Sequence, residues 1–476
     1  MSSAITIDDL DRGYGVGLPA ERRPRPMPDR APVRASSPAR HTLGFSLFIL
    51  LNAVLFVRPA EIIPSLEALP IYEVVILLCL LASIPAVLPQ LAWSSLKRNP
   101  ITLCVLGLLP AIFLSHLTNG DLWSARMGAL MFLKVVIYYL LLVGLVNSAA
   151  RLRTFLLVIA GFILCTAVLC LLDHHGIIDI PALSDLNVAY GEDAETGEVA
   201  YIQRLRAMGI FNDPNDFALI LNAATFICLH WLISQKNWLV KIAWAIPIGI
   251  LVYALTLTQS RGGFLSLMAG LLILLFTRIR PKRAVLIAAC LLPAMLIAFG
   301  GRLTNIDVAD RNDTAQGRIQ LWRDSLVEFH RKPLFGIGQG NLADTIGMVA
   351  HNSYVHSYAE LGFFGGTVFV GAFYLAFTEI SALRPAKTPR VPAELRALRL
   401  CLLPVLGAYM MGIYSLSRGY GNSTYLVLGF AGAFLALIAA SGIRTPCPSY
   451  PRARRLVLVS VGCVLYFELF VRIFAG

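Results

Sequence analysis

Residues 300–366, GRLTNIDVADRNDTAQGRIQLWRDSLVEFHRKPLFGIGQGNLADTIGMVAHNSYVHSYAELGFFGG, are the longest strongly polar stretch in an otherwise mostly apolar chain. The stretch offers three kinds of chemistry. Arg318 carries a planar guanidinium, suited to bidentate binding of phosphate or carboxylate. His351 and His356 carry imidazoles, which titrate near neutral pH and can take a proton from a hydroxyl. Gly336, Gly338 and Gly340 resemble a phosphate-cradling loop. No strand precedes them, however, and the spacing is not the dinucleotide fingerprint, so a tight turn after a helix is the simpler reading.

Two arginines outside the stretch could join this chemistry. Arg261 lies in TQSRGG between two apolar runs with almost no loop, and Gly262 and Gly263 let the backbone turn there. Arg206 precedes GIFNDPNDF, where Asp213 can cap a helix whose first residue is Pro214. An arginine at bilayer depth costs about 2.5–3.5 kcal/mol on insertion scales, so one at a helix end usually has a partner. Arg204, Arg302, Arg311, Arg323, Arg331 and Arg418 share the same side of the expected topology, where most read as solvated loop charges or internal ion pairs.

The elements that must position these groups are membrane helices. The chain has 476 residues, of which 57% are hydrophobic and 14% charged, against about 25% charged in soluble domains. Apolar segments long enough to span a bilayer are expected near 43–57, 71–89, 101–117, 128–146, 154–172, 216–234, 239–258, 262–278, 284–299, 363–380, 398–416, 423–441 and 455–473. The fold class is therefore an all-α polytopic membrane protein with about 12–13 spans. The net charge of +12 reads as loop charge of the positive-inside kind, not as a nucleic-acid surface. The basic loops LKRNP, NSAARLR, SQKNW, RIRPKR, RPAKTPRVPAELRALR and RTPCPSYPRARR alternate with less basic ones. Placing them in the cytoplasm puts the loops 173–215 and 300–352 outside.

Residues 1–41 hold seven arginines and no apolar run, and are expected to form a disordered basic cytoplasmic arm. Residues 42–442 form the transmembrane domain, and 443–476 a basic loop and a terminal span. The nine cysteines include no CxxC pair and give no disulfide framework or metal site. In the long loop, AQGRIQLWRDSLVEFHRKP reads as an amphipathic helix ended by Pro333. Ile319, Trp322, Leu326 and Phe329 share its apolar face, which is expected to lie along the outer interface with Trp322 at headgroup depth. Asn352 is a plausible N-cap for the helix that follows. His351, Tyr354 and Tyr358 then lie near one face, and His356 and Glu360, four apart, near another.

Five motifs taken in order carry a resemblance. They are R-x-x-G-x-F-x-x-P-N at Arg206 to Asn215, T-x-S-R-G-G at Thr258 to Gly263, R-x-x-x-W at Arg318 and Trp322, P-x-F-G-x-G at Pro333 to Gly338, and H-N-S-Y with A-E-x-G at His351 to Gly362. Together they resemble the bacterial O-antigen ligase and polymerase superfamily over roughly residues 43–441. The resemblance implies a GT-C-like glycosyltransferase of the inner membrane that needs no metal or other cofactor. Its donor would be a glycan on undecaprenyl pyrophosphate, presented in the periplasm. The acceptor would be lipid A–core or another glycan. Arg206, Arg261 and Arg318 match the pyrophosphate-binding arginines, and His351 matches the essential histidine, which deprotonates or orients the acceptor hydroxyl for inverting attack. Trp322, Asn352, Tyr354, His356 and Glu360 stand as supporting residues. No acceptor-specific signature is present, so ligase, repeat-unit polymerase and protein glycosylation all remain open.

The rival class is a transporter of the same lipid-linked glycans. A transporter is expected to show repeated halves and broken helices at the midplane. The sequence has no internal repeat, and its polar content gathers in two outer loops. A scaffold role would leave Arg261 and His351 without a task.

Overall fold

The computed structural model describes residues 41–66, 69–192, 199–298, 314–384, 388, 390–443 and 452–474. The expected basic arm, Arg302 and Arg311 lie outside the described residues. Seventeen helices follow in order among the described residues: α1 (Thr42–Val57), α2 (Pro59–Ile62), α3 (Ile71–Leu91), α4 (Trp93–Arg98), α5 (Pro100–Leu117), α6 (Leu122–Leu145), α7 (Ala149–His174), α8 (Pro214–Ser234), α9 (Trp238–Leu257), α10 (Arg261–Arg278), α11 (Pro281–Ala298), α12 (Thr314–Arg331), α13 (Leu342–Ile346), α14 (Ser353–Ala382), α15 (Ala393–Gly412), α16 (Asn422–Ala440) and α17 (Arg452–Phe474).

Twelve of the expected spans are helices long and apolar enough to cross a membrane, among the described residues. The last of them, Arg452–Phe474, is included. The segment expected at 284–299 is also helical, as α11. With no water in the hydrocarbon, a helix is the way such a run satisfies its own backbone. Several polar groups buried between helices are paired as well. Asn52 Oδ1 accepts from Tyr138 Oη at 2.6 Å, Thr102 and Tyr139 share a hydrogen bond of 3.0 Å, and Asn99 Nδ2 donates to the Gly432 carbonyl at 3.0 Å.

One element went unforeseen. The loop expected at 173–215 contains an antiparallel hairpin of β1 (Leu186–Glu192) and β2 (Val199–Arg204), with Leu186 opposite Arg204. Two strands bury too little apolar surface to announce themselves by pattern.

Starts of the helices are fixed locally. Asp213 caps α8, its carboxylate accepting from the Asn215 and Asp216 amides with Pro214 at the first helical position. Ser260 caps α10 through the Gly263 amide, and Asn352 caps α14 through the Tyr354 and Val355 amides. In the three-dimensional arrangement, α14 packs on α5, α12 and α17, and α8 packs on α9 and α15. These contacts bring the starts of α8 and α14 to one end of the bundle, as the bonds described next show.

Candidate functional site

His351 sits in a left-handed backbone conformation, φ 50°. Such a conformation costs a non-glycine residue free energy and persists only where neighbours hold it. Two neighbours do so. Asn352, fully buried, begins α14 directly after it. On the other side, Trp322 of α12 donates its indole N–H to the Ala350 carbonyl at 2.9 Å. Trp322 is 5% exposed and packs against Tyr414, Phe467 and Phe470. Trp322, expected along the outer interface, is thus covered by protein. An aromatic wall supplied largely by α17 covers the apolar face of α12, and the indole N–H finds a protein acceptor there.

Around His351 the starts of helices are tied together through charged side chains. Arg418 makes a bidentate ion pair with Asp216, in the first turn of α8. The Arg418 amide donates to Ser353 Oγ at 2.8 Å, and Ser353 Oγ donates to the Leu416 carbonyl at 2.5 Å, joining this loop to the start of α14. Arg204 ties the start of α8 to the turn between α9 and α10: its Nε donates to the Thr258 carbonyl at 3.0 Å and its Nη2 to Asn215 Oδ1 at 3.1 Å. Ser260 Oγ donates to the same Asn215 oxygen at 2.7 Å. Arg261 is the first residue of α10. Beside it, Gly262 leaves room for Ser415, whose Oγ would lie 2.0 Å from any Cβ added there. Helix starts of this kind carry positive potential and orphan amides, which favour anions.

The electrostatics of His351 follow from this setting. Burial pushes its imidazole below the ordinary value, and the positive charges of Arg318 and Arg418 push the same way, against Asp213. The ring is therefore held neutral near pH 7, the form that accepts a proton. Arg318, four residues before Trp322 on α12, thus acts electrostatically on His351, as does Arg418.

The glycine-spaced turn does different work from a phosphate cradle. Gly336, Gly338 and Gly340 all have positive φ. The Ile337 and Gly338 amides donate to the Ala359 and Glu360 carbonyls, each at 3.1 Å, and the Phe363 and Phe364 amides return to Pro333 and Leu334 at 2.7 and 3.1 Å. The exchange is possible because α14 breaks at Gly362, φ 65°. Farther along, the Leu342 amide donates to Glu360 Oε1 at 3.3 Å and Tyr420 Oη to Glu360 Oε2 at 2.9 Å. His356 Nε2 lies 3.1 Å from that same oxygen. The loop therefore surrounds a protein carboxylate, with Glu360 fully buried and His356 7% exposed. His356 Nδ1 and Asn352 Nδ2 are buried without a hydrogen-bond partner.

The remaining candidates are placed as follows. Tyr354 donates to the Met410 carbonyl at 2.9 Å, deep between α14 and α15. Arg206 donates from Nε to the Ser184 carbonyl at 2.8 Å and lines a cavity of about 590 Å³ with Glu61, Asp179 and Asn212. No bond of Arg206 to the His351 group is present among the described residues. Sequence alone did not mark Asp216, and both Arg204 and Arg418 read there as loop charges or internal ion pairs. The one signal for Asp216 was its place in the first turn after a cap, where an acid suits the helix dipole. Its partner lies 202 residues away.

Fold and site together define a multi-pass helical membrane protein in which helix starts, arginines and a histidine gather at one end. Residues 246–370, roughly a quarter of the chain, match the family model described as O-antigen ligase. That match supports the resemblance to the O-antigen ligase superfamily, and it spans Arg261, Arg318, Trp322, His351, His356 and Glu360. It also supports a membrane glycosyltransferase-like role of the ligase or polymerase kind, with lipid-linked glycans as substrates. A search of curated proteins finds no match.

Proposed function

We propose that the protein transfers a glycan from undecaprenyl pyrophosphate to an acceptor hydroxyl on the periplasmic face of the bacterial inner membrane, as an O-antigen ligase does. The observation that carries this reading is His351: a neutral imidazole, fixed in a left-handed turn at a helix start, within electrostatic reach of Arg318 and Arg418. In the reaction, the acceptor hydroxyl gives its proton to His351 while its oxygen attacks the anomeric carbon with inversion. The bond to the lipid pyrophosphate breaks on the opposite face. Charge develops on the leaving phosphate, where fixed cations stabilise it without reorganisation. Arg261 and Arg318 are assigned to that task, Arg418 joins them, and Arg206 holds the outer part of the donor. No step calls for a metal. The basic loops face the cytoplasm with the N-terminus.

The test is a transfer assay with purified protein and its His351→Ala variant. The donor is an undecaprenyl-pyrophosphate-linked repeat unit, given with and without lipid A–core. A single transfer that requires lipid A–core identifies a ligase, and a ladder of longer chains on the donor lipid identifies a polymerase. Full output from His351→Ala would remove the role assigned to that residue. No product from an intact donor and folded wild type would leave another acceptor or transport of the donor as the function.

A further inference from the structure

At the other end of α14 a second polar site stands apart from His351. Beyond its break at Gly362, α14 continues to Ala382, about 30 Å at the α-helical rise of about 1.5 Å per residue, close to the thickness of the hydrocarbon core of a bilayer. Glu379, three residues before the end of α14, lines a cavity of about 460 Å³ with Lys97, Arg98 and Arg452. The cavity lies where α5 begins, α16 ends and α17 begins, at the ends of those candidate spans. Its two walls differ. One is cationic: Arg452 Nε reaches Glu379 at 3.3 Å and its Nη1 donates to the Lys97 carbonyl at 2.9 Å, while the Lys97 ammonium lies 5.3 Å from the Trp93 ring centre. With three cations and one carboxylate, the site keeps a net positive charge. The other wall is aliphatic and includes Leu435, Ile438 and Ala439. Independently, Arg455, a turn deeper on the Arg452 face of α17, is 7% exposed with Nε and Nη2 unpartnered. A buried guanidinium without a partner adds positive potential that an anion would relieve.

We propose that this cavity is a resident-lipid site: Lys97, Arg98 and Arg452 hold the anionic headgroup of a phospholipid, and an acyl chain lies along Leu435 and Ile438. Basic pockets between spans recognise such headgroups, and a phosphate with its glycerol and the first methylenes fits a volume of this size. The site stands whatever reaction His351 performs.

The test uses full-length protein in neutral detergent, stripped of lipid. Tm is measured with phosphatidylglycerol, with phosphatidylcholine and with soluble glycerol phosphate. Phosphatidylglycerol is expected to raise Tm by about 2–4 °C, and the other two to leave it unchanged. Lys97→Gln/Arg98→Gln, at two exposed positions, should abolish the rise, and the control Lys236→Gln/Lys241→Gln should keep it. Ala439→Trp, which fills the apolar wall and leaves the cations, should also abolish it. An equal rise with phosphatidylcholine would mean a general amphiphile effect, and one with glycerol phosphate a simple anion site; either overturns the proposal. So does a rise that survives in Lys97→Gln/Arg98→Gln or Ala439→Trp, or that is lost in the control.

Discussion

Trp322 donates its indole N–H to the carbonyl of Ala350, the residue before His351, at 2.9 Å. Through this bond the amphipathic helix holds the strained backbone of the proposed base, instead of only covering the bundle. Trp322→Phe keeps most of the aromatic packing on Tyr414 and Phe467 and removes the bond. A net hydrogen bond is worth about 0.5–1.5 kcal/mol, so transfer is expected to fall roughly 3- to 10-fold at unchanged protein yield. Single-turnover rates of wild type and variant check this. A rate equal to wild type would mean that the turn holds His351 without the indole.

The second prediction concerns pH. Burial, then Arg318, disfavour the protonated form of His351. A base must be neutral to act, so activity should persist below the ordinary imidazole value of about 6.5 and fall only at more acid pH. Arg318→Met removes one repelling charge, so protonation becomes easier and the acid limb should move to higher pH. The pH profile of kcat/KM in both proteins measures it. An acid limb that stays put in Arg318→Met would separate Arg318 from His351.

Much of this arrangement was legible in the sequence, for local reasons. Long apolar runs have one answer in a bilayer, so the spans were plain, and Asp213–Pro214 and Asn352 advertise helix starts through side chains that cap their own next amides. What stayed hidden depends on partners far along the chain. Trp322 reads as an interfacial residue until α17 covers it. Gly336, Gly338 and Gly340 read as a possible phosphate loop until their segment meets the break at Gly362 and the carboxylate of Glu360. Arg418 reads as one loop charge among many until Asp216 fixes it.

That ion pair gives the third prediction. Asp216 is 4% exposed, whereas the Arg418 side chain keeps 42% of its exposure. Asp216→Asn leaves the guanidinium half-desolvated without its counter-charge. The cost should fall below the 3–5 kcal/mol of a fully buried broken pair, at about 1–3 kcal/mol. Arg418→Lys loses the fork geometry and should not restore wild-type behaviour. Thermal unfolding of Asp216→Asn, Arg418→Gln and the double variant forms a cycle that isolates the coupling. Additive losses would mean that the two side chains contribute separately.

The last prediction follows from the docking of two backbones. A Cβ on Gly362 would lie 2.4 Å from the Leu334 carbonyl group, and one on Gly336 2.3 Å from that of Glu360. Both residues also have positive φ, 65° and 75°. Neither neighbour is the end of a flexible side chain, so the strands of the turn must separate to admit a methyl group. Left-handed strain alone costs about 1–3 kcal/mol, and losing the four amide hydrogen bonds that flank Gly362 adds to it. Gly362→Ala should therefore sharply reduce the folded fraction recovered in detergent, with Glu360, His356 and the start of α14 losing their positions together. Gly317 supplies the opposite case. It lies inside α12 with open space where its Cβ would go, so Gly317→Ala should raise stability by about 0.5–1 kcal/mol. Size-exclusion profiles and melting curves of the two variants side by side decide the matter. If Gly362→Ala elutes and melts as wild type does, the break in α14 is not what seats the glycine turn.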